Sequence, residues 1–316
     1  MSCILITGGS GFIGRHLISH LKAQGHQVRC AVSTVHADLD VEQILIEPLE
    51  HMTDWHALFD QVDCVIHLAA HVHVTSSVSS DATFHLVNSE ATKKLGWAAA
   101  HHDVKRFIFM STIKVNGEYT LAHMPFTETD LPRPSDAYAK SKLRAEQYLK
   151  EISCATAMQV VILRPPLVYG PGVKANFLHL ITAVKKRYPL PFSHLNQQRS
   201  MIYIDNLIHA IDLLTHEPLK SYQCFLVADD QPWVLPELIK RLAFHLNQRA
   251  LLFPFPTVGI QALGKLLGKD TAVARLTSSL IVDNRLLKNS TSWQPKVAND
   301  EGLRQTIKWY QKHYHP

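Results

Sequence analysis

The feature that most restricts the fold is the order strand, glycine turn, helix, strand at the start of the chain. Cys3–Thr7 is a short apolar run, and Gly8-Gly-Ser-Gly11-Phe-Ile-Gly14 follows it directly. Arg15–Gln24 then has helical spacing and stops at Gly25, a C′ cap, before the apolar run Gln27–Val32. In that setting a glycine spacing reads as a dinucleotide-binding turn rather than a bare loop. Gly8 allows the tight turn, Gly11 lets backbone approach a pyrophosphate, and Gly14 permits close packing of the helix. Ser10, Phe12 and Ile13 lie in the same turn and are expected at the cofactor with it. The exposed N–H groups and the positive helix end favour phosphate there.

The adenine side is expected around Ser33. NAD sites usually place an acid at the end of the second strand, on the adenine ribose. Here Ser33 and Thr34 take that place, and Asp38 and Asp40 come later. Ser33, Thr34 and Arg29 are compatible with a 2′-phosphate, so both NAD and NADP stay open. The alternation continues with strands at 43–46 and 63–68, a short helix at 53–59 capped by Thr53, and a helix over 81–101. Small residues in His67-Leu68-Ala69-Ala70 let backbone pass close to the cofactor. The strand Arg106–Met110 delivers Ser111 and Thr112 to its carboxyl end, where ligands bind in open α/β sheets.

Composition excludes several classes. With 46 % apolar and 19 % charged residues in 316, the chain reads as globular and enzyme-like. Its net charge of +5 forms no dense basic block, so no nucleic-acid partner is expected. No apolar run reaches the ~18 residues of a membrane span, and Ser2 leads straight into a strand without room for a signal peptide. Neither membrane insertion nor export is therefore expected. Cys3, Cys30, Cys64, Cys154 and Cys224 are scattered and odd in number, which suits reduced thiols in the cytoplasm. His67, His71 and His73 cluster, but without a converging fourth ligand they give no metal site; His313 and His315 are too sparse for a tag.

Tyr138-Ala-Lys-Ser-Lys142 opens a helix expected to run to about Ile152. Residues four apart share a helix face, so Tyr138 and Lys142 project together. A cation ~6 Å from a phenol at an effective dielectric of ~20 contributes roughly 3 kcal/mol, about two pK units. That expectation makes Tyr138 a usable proton carrier near neutral pH.

Five motifs then appear in order: Thr7–Gly14, His67–Ala70, Ser111-Thr112, Tyr138-x-x-x-Lys142 and Arg164-Pro-Pro-Leu-Val-Tyr-Gly-Pro171. Together the chain resembles the extended short-chain dehydrogenases/reductases, in their nucleotide-sugar epimerase/dehydratase branch. The resemblance is greatest to UDP-glucose 4-epimerase-like proteins, a group that includes UDP-sugar 4-keto reductases of lipopolysaccharide precursor synthesis. It implies a Rossmann-type doubly wound parallel sheet with a smaller, discontinuous substrate domain. Thr112 then bonds the reacting hydroxyl, Tyr138 moves its proton, and Lys142 holds the nicotinamide ribose, with Ser111 and Pro165 also at the cofactor. Dehydratases of the branch carry Asp-Glu directly after the Thr112 position. Here Ile113 and Lys114 stand there, which disfavours water elimination.

Residues 1–165, with returning segments at about 200–228, are the expected dinucleotide domain. Residues 166–199 and 229–298 are the expected substrate domain, and 299–316 a closing helix. The resemblance implies that Asn176 contacts a UDP moiety, Phe192 stacks on the uracil, and Arg199 meets the diphosphate, with Arg275 as a second such group. A guanidinium fork suits that task. It further implies a homodimer through the Tyr138 helix and the one before it. Three readings remain: a 4-epimerase passing through a 4-keto intermediate, a 4-keto reductase, and an NAD(P)-binding regulator without catalysis.

Overall fold

The computed structural model describes residues 2–72, 81–121, 124–266 and 270–314. His73, Leu267 and His315 lie outside them. The first half alternates as β1 (Cys3–Thr7), α1 (Phe12–Ala23), β2 (Gln27–Val32), β3 (Glu42–Leu45), α2 (His56–Phe59) and β4 (Cys64–His67). It continues with α3 (Asp81–Phe84), a π-helical turn (His85–Glu90), α4 (Ala91–His101), β5 (Arg106–Met110), a 3-10 turn (Ile113–Val115), α5 (Ala137–Ala155) and β6 (Gln159–Arg164).

Strands β1, β4 and β5 are buried along their whole length. Such apolar runs suit a parallel sheet covered on both faces. Alternate residues feed two cores. Ile4, Ile6, Ile108 and Val161 face one that contains Leu17, Leu21 and Ile208. Leu5, Phe107, Phe109 and Val160 face the other, with Leu95, Leu149 and Ile152. The helices thus form a layer on each side of the sheet.

The remaining elements are β7 (Leu167–Tyr169), α6 (Ala175–Lys185), β8 (Gln198–Arg199), β9 (Met201–Tyr203), α7 (Ile204–Leu214), β10 (Tyr222–Leu226) and β11 (Trp233–Val234). After them come α8 (Leu235–His245), α9 (Thr257–Leu266), α10 (Asp270–Leu276), α11 (Arg285–Ser290) and α12 (Asn299–Tyr314). The seven-stranded sheet has the order β10-β6-β5-β4-β1-β2-β3, every neighbouring pair parallel. Connections reverse direction beside β1, so the crevice between the ends of β1 and β4 is a topological switch point, where open α/β sheets bind ligands. β10 returns to the sheet edge, and α7 packs on α1. A smaller lobe holds the pairs β7–β9 and β8–β11 and the helices from α8 onward.

Some local expectations change. Asp54, not Thr53, accepts the first helical N–H of α2, at His56. The helix over 81–101 contains a π turn, in which one extra residue re-aims side chains. Arg29 pairs with Glu42 and bonds the Asp60 carbonyl near the amino end of β2. That is the wrong end of the strand for a ribose phosphate. Gly25 has φ +83°, as a C′ glycine should.

A Cβ on Gly14 would lie 2.5 Å from the Gly8 carbonyl oxygen and 2.5 Å from the Gly9 Cα. Both are backbone atoms, so the loop itself must move. Gly14→Ala is expected to destabilise the chain by about 1–3 kcal/mol and to weaken nucleotide binding, checked by urea unfolding and NAD titration.

Candidate active site

The glycine turn is built on backbone. Gly8 sits at φ +75°, and a Cβ there would meet the Ala69 nitrogen at 2.6 Å, so the two strand-end loops touch. Gly11 bonds back to Gly8 and then starts α1 with no side-chain cap. The first N–H groups of α1 are therefore left for a ligand. A Cβ on Gly11 would meet only the Gly8 oxygen within van der Waals range, at 3.2 Å, which leaves room above it. A cleft of 360 Å³ opens here, lined by Gly8, Ser10, Ser33, His36, Ala69 and Ala70 among others. These features fit a dinucleotide pyrophosphate. Among the described residues the lining holds Glu47 and Glu50 but no lysine or arginine, which suits a ribose without a 2′-phosphate. The side chains of Phe12 and Ile13 pack against the core, and Phe12 comes close to Gly172, so what these residues offer a ligand is their backbone N–H groups. Leu68 likewise packs against that core, and its N–H bonds the Thr7 carbonyl.

His67 fixes the second loop. Its Nδ1 lies 2.6 Å from Thr7 Oγ1 and its Nε2 2.9 Å from Thr92 Oγ1. Thr92 donates its own proton to the Asn88 carbonyl, so it must accept from Nε2–H, and Thr7 then donates to Nδ1. Burial pushes the imidazole down to about 3, and the ring stays neutral. The π turn places Asn88 so that its amide bonds both the N–H and the carbonyl of His71. Among the described residues no His, Cys, Asp or Glu cluster has the make-up of a metal site.

Ser111 and Thr112 follow β5. The Ser111 hydroxyl donates to Glu146, which also holds Arg164 through two bonds. Arg164 in turn donates to Asn116 Oδ1 at 2.9 Å. The expectation that Ser111 serves the cofactor is therefore corrected for its side chain, whose hydroxyl is committed to this buried network. Pro165 accepts the Ile113 N–H and helps to seat the turn that carries Thr112. Thr112 caps that turn weakly, accepting from Lys114 N at 3.4 Å.

Tyr138 is the second residue of α5, half-buried and edge-on to Phe84. Lys142, one turn on, is fully buried and donates to the Met110 carbonyl at 2.8 Å, its ammonium 4.4 Å from the Phe109 ring centre. This bond ties α5 to the end of β5, two residues before Thr112. The expected depression of the tyrosine is not what the structure shows. Burial pushes the Tyr138 phenol up to about 12, and Asp136 adds to the rise. Burial also drives Lys142 down to about 7, opposed by Glu146. A lysine that has lost part of its charge and faces a carbonyl gives a phenol little help.

Ile113 is buried among Leu226, Leu280 and Val282, and Lys114 bonds Asp136 at 2.6 Å. Neither is available as the acid or base of an elimination. Asp136 caps α5 through the Ala139 N–H. Glu118 joins the same group, 3.4 Å from Lys114 and 3.0 Å from Arg275. Arg275 is held by Glu118 through Nε and Nη2. Arg199 Nη1 donates to the carbonyls of Arg275 and Ser278. Phe192 packs against the core with part of its ring accessible, and Asn176 is exposed at the start of α6. Sequence reasoning missed Glu146, Asn116, Glu118, Asp136 and Asn88, none of which belongs to a short motif.

Such geometry defines a class: a dinucleotide-dependent enzyme with a strand-end cleft over a glycine turn. The NAD dependent epimerase/dehydratase family matches residues 4–226. The UDP-glucose 4-epimerase of Vibrio cholerae is 38 % identical over 309 residues, 96 % of this chain and 94 % of its own length. The chain belongs to the NAD-dependent epimerase/dehydratase family. Solved structures share the fold at lower identity. UDP-glucose 4-epimerase of Thermotoga maritima, solved with UDP-glucose, has a TM-score of 0.79 at 23 % identity, covering 99 % of this chain and 100 % of that one. MoeE5 in complex with UDP-glucuronic acid and NAD has 0.80 at 23 %, covering 98 % and 99 %.

The lysine has a consequence for stability. Its folded value, about 7, lies below the ~10.4 of an unfolded lysine. Between those values the unfolded chain binds the extra proton, so this term raises stability with pH. In nucleotide-free protein, the stability difference between wild type and Lys142→Met should shift toward wild type by about 1 kcal/mol per pH unit from pH 7 to 10. Urea unfolding at several pH values checks it; a flat difference contradicts the lowered lysine value.

Proposed function

We propose that this chain is a UDP-hexose or UDP-N-acetylhexosamine 4-epimerase that works through a 4-keto intermediate. The identity of 38 % across nearly the full length of a UDP-glucose 4-epimerase carries the reading. The residues after Thr112 support it, because Ile113 and Lys114 are both engaged in structure and leave no elimination pair there. NAD, when bound, supplies the hydride acceptor and donor and a positive charge in the cleft. Tyr138 takes the proton of the sugar 4-hydroxyl and returns it, within the reach such a transfer requires. Thr112 orients that hydroxyl. Lys142 has its ammonium anchored at Met110, from where it steadies the cofactor ribose.

Arg199 is the diphosphate contact in this reading. Its Nη1 is occupied by two carbonyls, which hold the rest of the guanidinium in place for paired bonds. Asn176 and Phe192 face the uridine half of the ligand. Residues 166–199 and 229–298 serve as the substrate domain, with 299–316 closing it. The assembly we infer is a homodimer through α4 and α5, and the compartment the cytoplasm. No described helix is long and apolar enough to cross a membrane.

Incubation of purified protein with UDP-glucose or UDP-N-acetylglucosamine should give the 4-epimer without net NADH consumption. Stoichiometric NAD(P)H oxidation on a UDP-4-keto sugar, with no epimerisation, would instead make it a reductase. Tyr138→Phe should lower kcat by about 10²–10⁴-fold with UDP-sugar binding kept; activity within a few-fold of wild type would sink the mechanism. Arg199→Ala should raise KM by about tenfold or more, and an unchanged KM would remove it from the site.

A further inference from the structure

Charge separates sharply between parts of this chain. Residues 172–204 and 238–266 contain nine lysines and arginines and no aspartate or glutamate, so all 27 acids lie elsewhere. These stretches build α6, α9 and the part of α8 that follows Glu237 in its first turn. Substrate binding accounts for Arg199 but not for the rest. Lys185, Lys186 and Arg187 lie at the carboxyl end of α6, ~16 Å from Asn176 at its start.

The same end carries an apolar surface. α6 and α8 pack together, and each stops in a left-handed residue, Arg187 at φ 57° and Asn247 at φ 53°. The chains leaving them pair side by side: Leu190 N bonds the Leu251 carbonyl, and Phe253 N the Leu190 carbonyl. Along this ladder Leu190 and Leu252 pack inward on the core. Tyr188, Leu251, Phe253, Phe255 and Val258 remain 39–75 % exposed. Phe253 and Phe255 form an edge-to-face pair, and the Phe255 ring lies against Gly259 of α9. Among the described residues, Lys185, Lys186, Arg187 and Arg249 enter no ion pair.

We propose that this face seats the smaller lobe on an anionic lipid surface, the aromatic rings entering the headgroup layer and the lysines and arginines meeting lipid phosphates. Aromatic and aliphatic side chains interleaved with unpaired cations are what an interfacial contact uses. A second copy of the chain is a poor occupant, because it would set cations against cations. Exposed leucine and valine are of little use to a nucleic acid, which takes up aromatic and cationic groups.

Sedimentation of the full chain with vesicles tests this. The protein should pellet with vesicles of equal parts phosphatidylcholine and phosphatidylglycerol, stay in solution with phosphatidylcholine alone, and be released by salt. Phe253→Ser combined with Phe255→Ser should weaken vesicle binding by about tenfold, and Lys185→Glu with Lys186→Glu by at least as much. NAD binding and thermal unfolding of both variants should match wild type, which excludes misfolding as the cause. Three results would overturn the proposal: no pelleting with anionic vesicles at low salt, equal binding by folded variants, or wild-type binding to a single-stranded oligonucleotide in preference to vesicles. Sedimentation velocity adds a fourth. If either variant turns a dimer into monomers while vesicle binding is absent throughout, the face is a protein interface.

Discussion

The buried pair of Glu146 and Arg164 holds the catalytic end of this fold together. Glu146 belongs to α5 and Arg164 ends β6, so their two bonds fix the helix over the sheet. Ser111 reaches the same carboxylate from the end of β5, and Asn116 reaches the guanidinium from the loop beyond the 3-10 turn. Four segments that carry or flank Thr112, Tyr138 and Lys142 thus meet at one charge pair. A buried pair adds little net stability, since desolvation offsets most of its attraction. Its value is directional. Any other seating of α5 would strand a charge out of water, at several kcal/mol, and the register of Tyr138 against Thr112 would be lost with it.

A second group of charges ties this end to the smaller lobe. Lys114 and Arg275 meet Asp136 and Glu118, and all four are only partly accessible. Asp136 also caps the tyrosine helix. The position that supplies an elimination base in dehydratases thus supplies a lysine that steadies the cap of α5. The Glu118 carboxylate is held below the ordinary range by Arg275 and Lys114 against the opposing pull of burial. It therefore stays ionised and keeps Arg275 engaged when no anionic ligand is near. Through the Arg275 carbonyl the same helix end positions Arg199.

The parallel sheet was legible because both-face burial writes continuous apolar runs, and the glycine turn because its spacing has few structural solutions. Helix ends followed from Gly25 and from the Tyr138 segment to within about three residues. The misses share a cause. Ser111 and Arg29 are polar residues whose role depends on which distant partner reaches them first. Glu146, 35 residues beyond Ser111, takes its hydroxyl, and Glu42 and the Asp60 carbonyl take the guanidinium of Arg29. No local pattern encodes such pairings. The π turn at Asn88 was hidden for a similar reason: its extra residue is accommodated by contacts to Ser141 and His71, both remote in sequence.

The same distinction governs the tyrosine itself. Spacing correctly put Lys142 one turn from Tyr138, but spacing says nothing of what the ammonium faces. Buried against Phe109 and bonded to a carbonyl, it sits where desolvation costs more than one neutral acceptor returns. Two groups at about 12 and about 7 leave a protonated phenol beside a lysine that sheds its charge near neutrality. That is the proton inventory of an acid, ready to donate. A tyrosinate base requires more positive charge in the cleft, and the described residues lining its nucleotide half include no lysine or arginine. Because His67 is locked neutral between two threonines, the cofactor is the natural source of the missing charge.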